Sequence, residues 1–423
     1  MKRRSHARSA RLVAVTAAAA AVTAACSVSG GPTSGAVLGE ASGPPIKVGM
    51  SLSLSGDFLA DGLACRQGYQ LWASDANSHG GLLGRPVKLV ILDDKSDPKT
   101  ATADYEKLVS QYHVDLLLGP FSSLLTVPAG LVAKEHGYAF VEGSGGAPTV
   151  FDSQNPNLFA VSAPVIDQMI PFAKWVASLP PGQRPATAAY PMVDDPFADP
   201  PVQTAQKILV SAGIKTVYAP KPYTQVSPAA LTADADQVAH SHAQMVLLGS
   251  VDPLSVSAFT KEWVKVGYNP RLFIAASGPD QGQAFLNLVG TGNATGIMVP
   301  DGWYGRYENA LSHVMVQDYI AKYGGTVSDI NADVAEAYSS GQVMADAVTH
   351  TKGLNQDSII RYLHSGVTLQ TVQGPASFGT FGINNKAVTF IFQWQTGARF
   401  VQVLPQSAPG SVSILPTKPP WTG

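Results

Sequence analysis

"PVKLVILDDKSDP", residues Pro86–Pro98, decides the fold. Apart from Lys88, the run from Val87 to Leu92 is continuously apolar. A strand with one wet face would alternate, so both faces of this one are covered, as in parallel sheets. Asp97-Pro98 follows at once. The carboxylate can cap a helix and the proline can occupy its first turn. A covered strand followed by a helix is one step of a βα series.

The series extends in both directions. "IKVGMSLSL" (Ile46–Leu54) is a strand, and Asp61 stands where it could cap a helix running to Asn77. Tyr69, Trp72, Ala73 and Ala76 share one face of that helix, and Gly80-Gly81 ends it. "VDLLLGP" (114–120) and "YAFVEG" (138–143) are two further strands. After Val161 the pattern restarts with strands "ATAAYPMV" (186–193), "IKTVYA" (214–219), "QMVLLGS" (244–250) and "RLFIAAS" (271–277), and a helix over Val202–Ala212. Ser227-Pro228 and Asp252-Pro253 repeat the cap-plus-proline device. Helical stretches follow over Glu308–Tyr323, Ile330–Thr349 and Gln356–His364, then a hairpin turning at Thr396-Gly397. The fold class is therefore α/β, with two doubly wound parallel-sheet units of similar size.

A chain of 423 residues has room for about two domains. Its net charge of −2 and 14% charged residues offer neither a basic surface for nucleic acid nor an acidic block for a basic partner. Residues 1–25 read as a signal peptide: a basic start, then the apolar "LVAVTAAAAAVTAA", too short to span a bilayer. It ends in "VTAAC", which resembles the lipobox of bacterial lipoproteins, with Thr23 in place of the usual leucine. That resemblance makes Cys26 the lipidated first residue and places the protein on the outer face of the plasma membrane, held by the lipid alone. Residues 26–45, small and nearly uncharged, suit a flexible tether. Cys65 is the only other cysteine and reads as a packed thiol. The Pro-rich 406–423 reads as a loose tail.

The stretch from "IKVGMSLSLSGDFLADG" through "GGLLGRPVKLVILDDKSDPKTA" resembles the start of type I periplasmic solute-binding proteins, in particular the branched-chain amino acid binding proteins of ABC importers. "GPFSSLLTVPA" (119–129), "DYIAKYGG" (318–325), "AEAYSSGQVMADAV" (335–348) and "FIFQWQTGARF" (390–400) extend the likeness, in order, from Ile46 to Pro405. The resemblance implies two lobes joined by three crossovers, with lobe one at 46–163 and 301–352 and lobe two at 164–300 and 353–405. A small ligand would sit between them, beyond the carboxyl ends of the strands. It further implies a monomer that binds a small polar solute (an amino acid, amide or small carboxylate) and delivers it to an ABC transporter permease. A ligand-sensing lipoprotein of the same fold is the alternative.

Ser122 and Ser123 follow the strand "DLLLG", at a helix start where free N–H groups and hydroxyls could hold a carboxylate or cap the helix. By the resemblance, "VEGSGGAP" (141–148) also touches ligand, through Ser144, Gly145 and Gly146; Gly146 stands where amino acid binders commonly carry threonine. Phe58 and Asp61 belong to the first loop, and Asp61 could equally cap its helix. In lobe two, Phe197 matches a ligand-covering aromatic, Val251 replaces a tyrosine, and Asp280 is nearest the acid that holds an ammonium group. The expected ligand thus has an anionic or polar head on lobe one and an apolar remainder against Phe197 and Val251. An aliphatic amino acid fits if Asp280 or Asp61 supplies the counter-charge.

Signals for chemistry are weak. "GTGNATG" (290–296) precedes a strand, the wrong context for a phosphate loop. His240 and His242 have no third metal ligand nearby in sequence. No G-x-S-x-G elbow occurs, and Asp194-Asp195 has no acid–base context. Asp93-Asp94 suits a structural or rim role. The chain reads as a binding protein, not an enzyme, with no cofactor and no metal.

Overall fold

A computed structural model describes residues 41–152, 154–222, 227–307 and 309–422. The chain first lays down β1 (Ile46–Leu52), α1 (Leu59–Ser78), β2 (Val87–Asp93), α2 (Pro98–Ser110), β3 (Leu116–Leu118), α3 (Ser123–Glu135), β4 (Phe140–Glu142), α4 (Pro148–Asp152) and β5 (Leu158–Ala160). The five strands pair in parallel in the order β2-β1-β3-β4-β5. Leu116 and Leu118 enter one core and Leu117 the other, so both faces are covered. Asp97 caps α2 as its sequence suggests, accepting the Thr100 N–H at 2.7 Å.

The chain then leaves the first sheet and forms α5 (Val165–Gln168), α6 (Ile170–Ser178), β6 (Thr187–Ala189), α7 (Asp199–Ser211), β7 (Lys215–Tyr218), α8 (Pro228–His240), β8 (Met245–Leu248), α9 (Pro253–Val266), β9 (Leu272–Ala275), α10 (Gly282–Val289), α11 (Thr291–Ala294) and β10 (Ile297–Asp301). The parallel order β7-β6-β8-β9-β10 repeats that of the first sheet. Met245 and Leu247 face one core, Val246 and Leu248 the other.

A return crossing leads to α12 (Ala310–Tyr323), α13 (Ala332–Thr351), α14 (Gln356–Leu363) and a small hairpin, β11 (Leu369–Thr371) with β12 (Gly374–Ala376). A last crossing reaches β13 (Phe390–Gln395) and β14 (Arg399–Leu404), which extend the second sheet antiparallel beyond β10.

Two expectations need correction. Residues 353–378 do not belong to lobe two: Ile359, Leu363, Leu369, Val372, Ala376 and Phe378 lie in the first core, so the last crossing comes after Phe378. The end of the chain is not loose. The buried Gln393 side chain accepts the Leu415 N–H at 2.8 Å and donates to the Leu415 carbonyl. The Trp421 indole donates to the Tyr268 carbonyl at 2.7 Å. Alternation and propensity report only nearby residues, and these partners are more than a hundred residues apart or buried across a sheet. Cys65 is a buried free thiol.

Candidate functional site: an acidic cleft between the lobes

The carboxyl ends of both sheets open onto one cavity, about 810 Å³ of atom-free space when the part open to solvent is included. Lobe one contributes Phe58 and Asp61 after β1, Phe121 and Ser122 after β3, Gly143, Ser144 and Gly146 after β4, and Asp333 and Glu336 from α13. Lobe two contributes Asp195 and Phe197 after β6, Val251 after β8, Ser277 and Asp280 after β9, and Asp301 at the end of β10. The Gln281 side-chain amide donates to Asp61 Oδ1 across the cleft.

Each loop is held locally. Asp93 accepts from the Leu54 N–H and the Ser55 hydroxyl, and Asp94 accepts from the Ser53 hydroxyl at 2.7 Å. This acidic pair braces the loop whose Phe58 meets Phe121 edge-on at 5.4 Å. Asp61 lies inside the first turn of α1 and is not its cap. Gly68 lets α1 approach α13, since a Cβ there would stand 2.3 Å from the Val334 carbonyl oxygen. That close approach sets Asp61 beside Asp333.

Of the ten ligand-binding candidates, the cavity gathers eight: Phe58, Asp61, Ser122, Ser144, Gly146, Phe197, Val251 and Asp280. Ser123 and Gly145 are turned elsewhere. Ser123 is fully buried and its Oγ accepts the Ala147 N–H at 3.1 Å; the Gly145 N–H donates to Glu142 Oε2. Ser122 precedes α3 with φ +72°, and its side chain makes no cap bond. Its Oγ is buried and finds no partner among the described residues. Cys26 lies outside the described residues.

Sequence reasoning missed Asp195, Asp301, Asp333 and Glu336. Asp333 and Glu336 carried a signal: two acids three apart, hence on one face, in a helix of small apolar residues. The second lobe is therefore not short of groups for an ammonium, since Asp280 and Asp301 both face the cavity.

These carboxyls crowd one another. Burial, with the charge of Asp280, pushes Asp61 up to about 7. Burial raises Asp280 to about 6. Asp301 and Asp333 lie well above the carboxylate range, through burial and then neighbouring acids. Burial also raises Glu336, opposed by hydroxyl bonds from Ser144 at 2.6 Å and Ser162 at 3.0 Å. Among the described residues no three such groups stand close enough to ligate one metal ion.

The sequence profile of a family described as periplasmic binding protein matches residues 45–399. The chain belongs to the periplasmic binding protein family. Among curated relatives, the Leu/Ile/Val-binding protein homolog 2 of Brucella abortus is 29% identical to this periplasmic binding protein over 122 residues, 29% of the chain and 33% of that relative. The aligned stretch thus spans a third of the relative's length. The Leu/Ile/Val-binding protein homolog 7 of Brucella melitensis is 24% identical over 392 residues, 88% of the chain and 94% of the relative. Among solved structures, the branched-chain amino acid transporter substrate-binding protein LivJ of Streptococcus pneumoniae, complexed with isoleucine, superposes with a TM-score of 0.69 at 20% identity, covering 85% of this chain and all of that one. This likeness shows that the periplasmic binding protein has the two-lobed type I fold.

Proposed function

We propose that the protein captures a small polar solute between its lobes and delivers it to an ABC importer, acting outside the cytoplasm. The observation that carries this reading is one cavity lined by side chains from both lobes at the carboxyl ends of both sheets. A ligand bridging the lobes favours their closed arrangement by its differential affinity. The relatives are named as amino acid binders and transporter components, which favours uptake over sensing. Attachment through a lipid on Cys26 is part of the same reading; among the described residues no helix is long and apolar enough to cross a membrane.

Thermal-shift screening of amino acids, amines, amides and short carboxylates should give at least one solute that raises Tm by mass action. Small-angle scattering of the monomer with that solute should show a smaller or more rigid particle, and Phe197→Ala should weaken binding. A panel without a single shift would overturn the reading. In the same preparation, Cys26→Ala should move the protein out of the detergent phase; equal partitioning would remove the lipid anchor from the account.

A further inference from the structure

Resting on the solute-binding reading, we propose that the cleft selects an aliphatic amine of net positive charge, one with more cationic nitrogens than anionic groups. Six carboxyl-bearing residues line the cavity: Asp61, Asp195, Asp280, Asp301, Asp333 and Glu336. No lysine, arginine or histidine lines it with them. Buried like charges with no counter-charge are costly unless they hold protons or meet a cation. Without a ligand, protons meet this cost; among the described residues no three of these groups converge on a metal position, so the cation argued for is an organic one.

Three donors of the lobe-one wall are already engaged. The Ser144 hydroxyl donates to Glu336 Oε2, the Gly145 N–H to Glu142 Oε2, and the Ala147 N–H to Ser123 Oγ. Ser122 Oγ and Gln168 Oε1, both buried atoms of lining residues, have no partner among the described residues. Ser122 Oγ can take one polar group at the start of the 13-residue α3. A neutral zwitterion would bring as much negative as positive charge to a wall that offers six carboxyls, the Ser122 hydroxyl and the Gln168 amide. Phe58, Phe121 and Phe197 supply faces for alkyl carbons and for the cation itself.

The other titratable groups around this cluster do not reverse its sign. Asp252 acts on Asp61, and Glu142 and the Cys65 thiol lie behind Glu336. Arg306 is exposed and lines an adjoining chamber that shares Asp280 and Asp301 with the main one. Both acids nonetheless stay above the usual carboxylate range.

Calorimetric titration of the full chain in detergent, at pH 7.5 and 5.0, with 1,4-diaminobutane, lysine, leucine and isovalerate tests this. At pH 7.5 one of the first two should bind at least tenfold more tightly than leucine, with isovalerate weakest. At pH 5.0 the amines keep their charge while the cavity carboxyls gain protons, so the affinity should drop at least tenfold. Glu336→Gln, isosteric and able to keep its serine bonds, should weaken the amine at least tenfold at pH 7.5; Asp280→Asn is the second variant, with both checked for folding by circular dichroism. Lysine ahead of diaminobutane places a carboxylate at Ser122, and the reverse order identifies a diamine; either supports the proposal. Leucine or isovalerate binding as tightly as both amines would overturn it while leaving the solute-binding reading intact. An amine affinity indifferent to pH and to both substitutions would also overturn it. Silence from all four, with a wider panel also silent, removes both readings.

Discussion

Asp61 shows how one side chain can link function to stability. Its carboxyl is buried, bonded to Gln281 of the other lobe, and raised from 3.8 to about 7 by burial and by Asp280. Between those two values the folded chain holds a proton that the unfolded chain has released. Stability without ligand therefore falls as pH rises through that window, the reverse of a salt-bridged aspartate. We expect Tm without ligand to drop between pH 4 and 7.5, and Asp61→Asn to raise stability at pH 7.5 by about 1–3 kcal/mol, with little effect at pH 4. Asparagine keeps the oxygen that accepts from Gln281, so lost bonding does not confuse the result. A variant less stable than wild type at pH 7.5 would mean that Asp61 is already ionised and paired.

At the scale of elements, β13 anchors the end of the chain through buried amides. Gln393 bonds both the N–H and the carbonyl of Leu415, and Gln395 donates to the Ser413 carbonyl at 2.8 Å. The Lys418 N–H donates to the Arg271 carbonyl, and Trp421 sits near Trp263 with ring centroids 6.5 Å apart. Residues 411–422 thus behave like an added strand without forming one. Gln393→Leu keeps the volume and leaves Leu415 without those partners, at a cost of about 1–2 kcal/mol. Chemical denaturation should show a lower midpoint at unchanged m. An unchanged midpoint would mean that water replaces the amide without penalty.

The whole molecule depends on its crossings. The last one runs beside β5: the Ala160 N–H donates to the Gly382 carbonyl at 2.9 Å, and the Asn384 amide donates to the Val161 carbonyl at 2.7 Å. Two of the crossings are therefore tied together. Gly382 has φ +74°, and a Cβ there would stand 1.8 Å from the Leu158 carbonyl oxygen. Gly382→Ala should cost about 2 kcal/mol or more and change the scattering difference between free and bound protein. Gly353→Ala, where a Cβ meets nothing closer than 3.9 Å, should do neither. Equal behaviour of the two variants would show that this crossing does not constrain the lobes.

The α/β class, the two strand series and most of the lobe-one wall were legible in the chain, because covered strands, cap-plus-proline starts and glycine stops act over a few residues. Phe58 and Ser122 could be named from loops at strand ends, where any open sheet of this kind presents its ligand, and Ser144, Phe197 and Asp280 from the resemblance to solute-binding proteins. What the sequence could not disclose depended on contacts between distant segments. Ser123 and Gly145 looked like ligand donors, but Ala147 and Glu142 engage them. Asp333 and Glu336 read as one face of a helix, and only the crossing of α1 and α13 turned that face into a wall of the cleft. The expected lobe boundary puts Asp301 in lobe one; it ends β10 in the second sheet instead, and only the return to lobe one sets it opposite those acids. The sign of the cleft is thus a tertiary property: each carboxyl is local, while their crowding, with no lysine, arginine or histidine among the lining residues, exists only once the two lobes face each other.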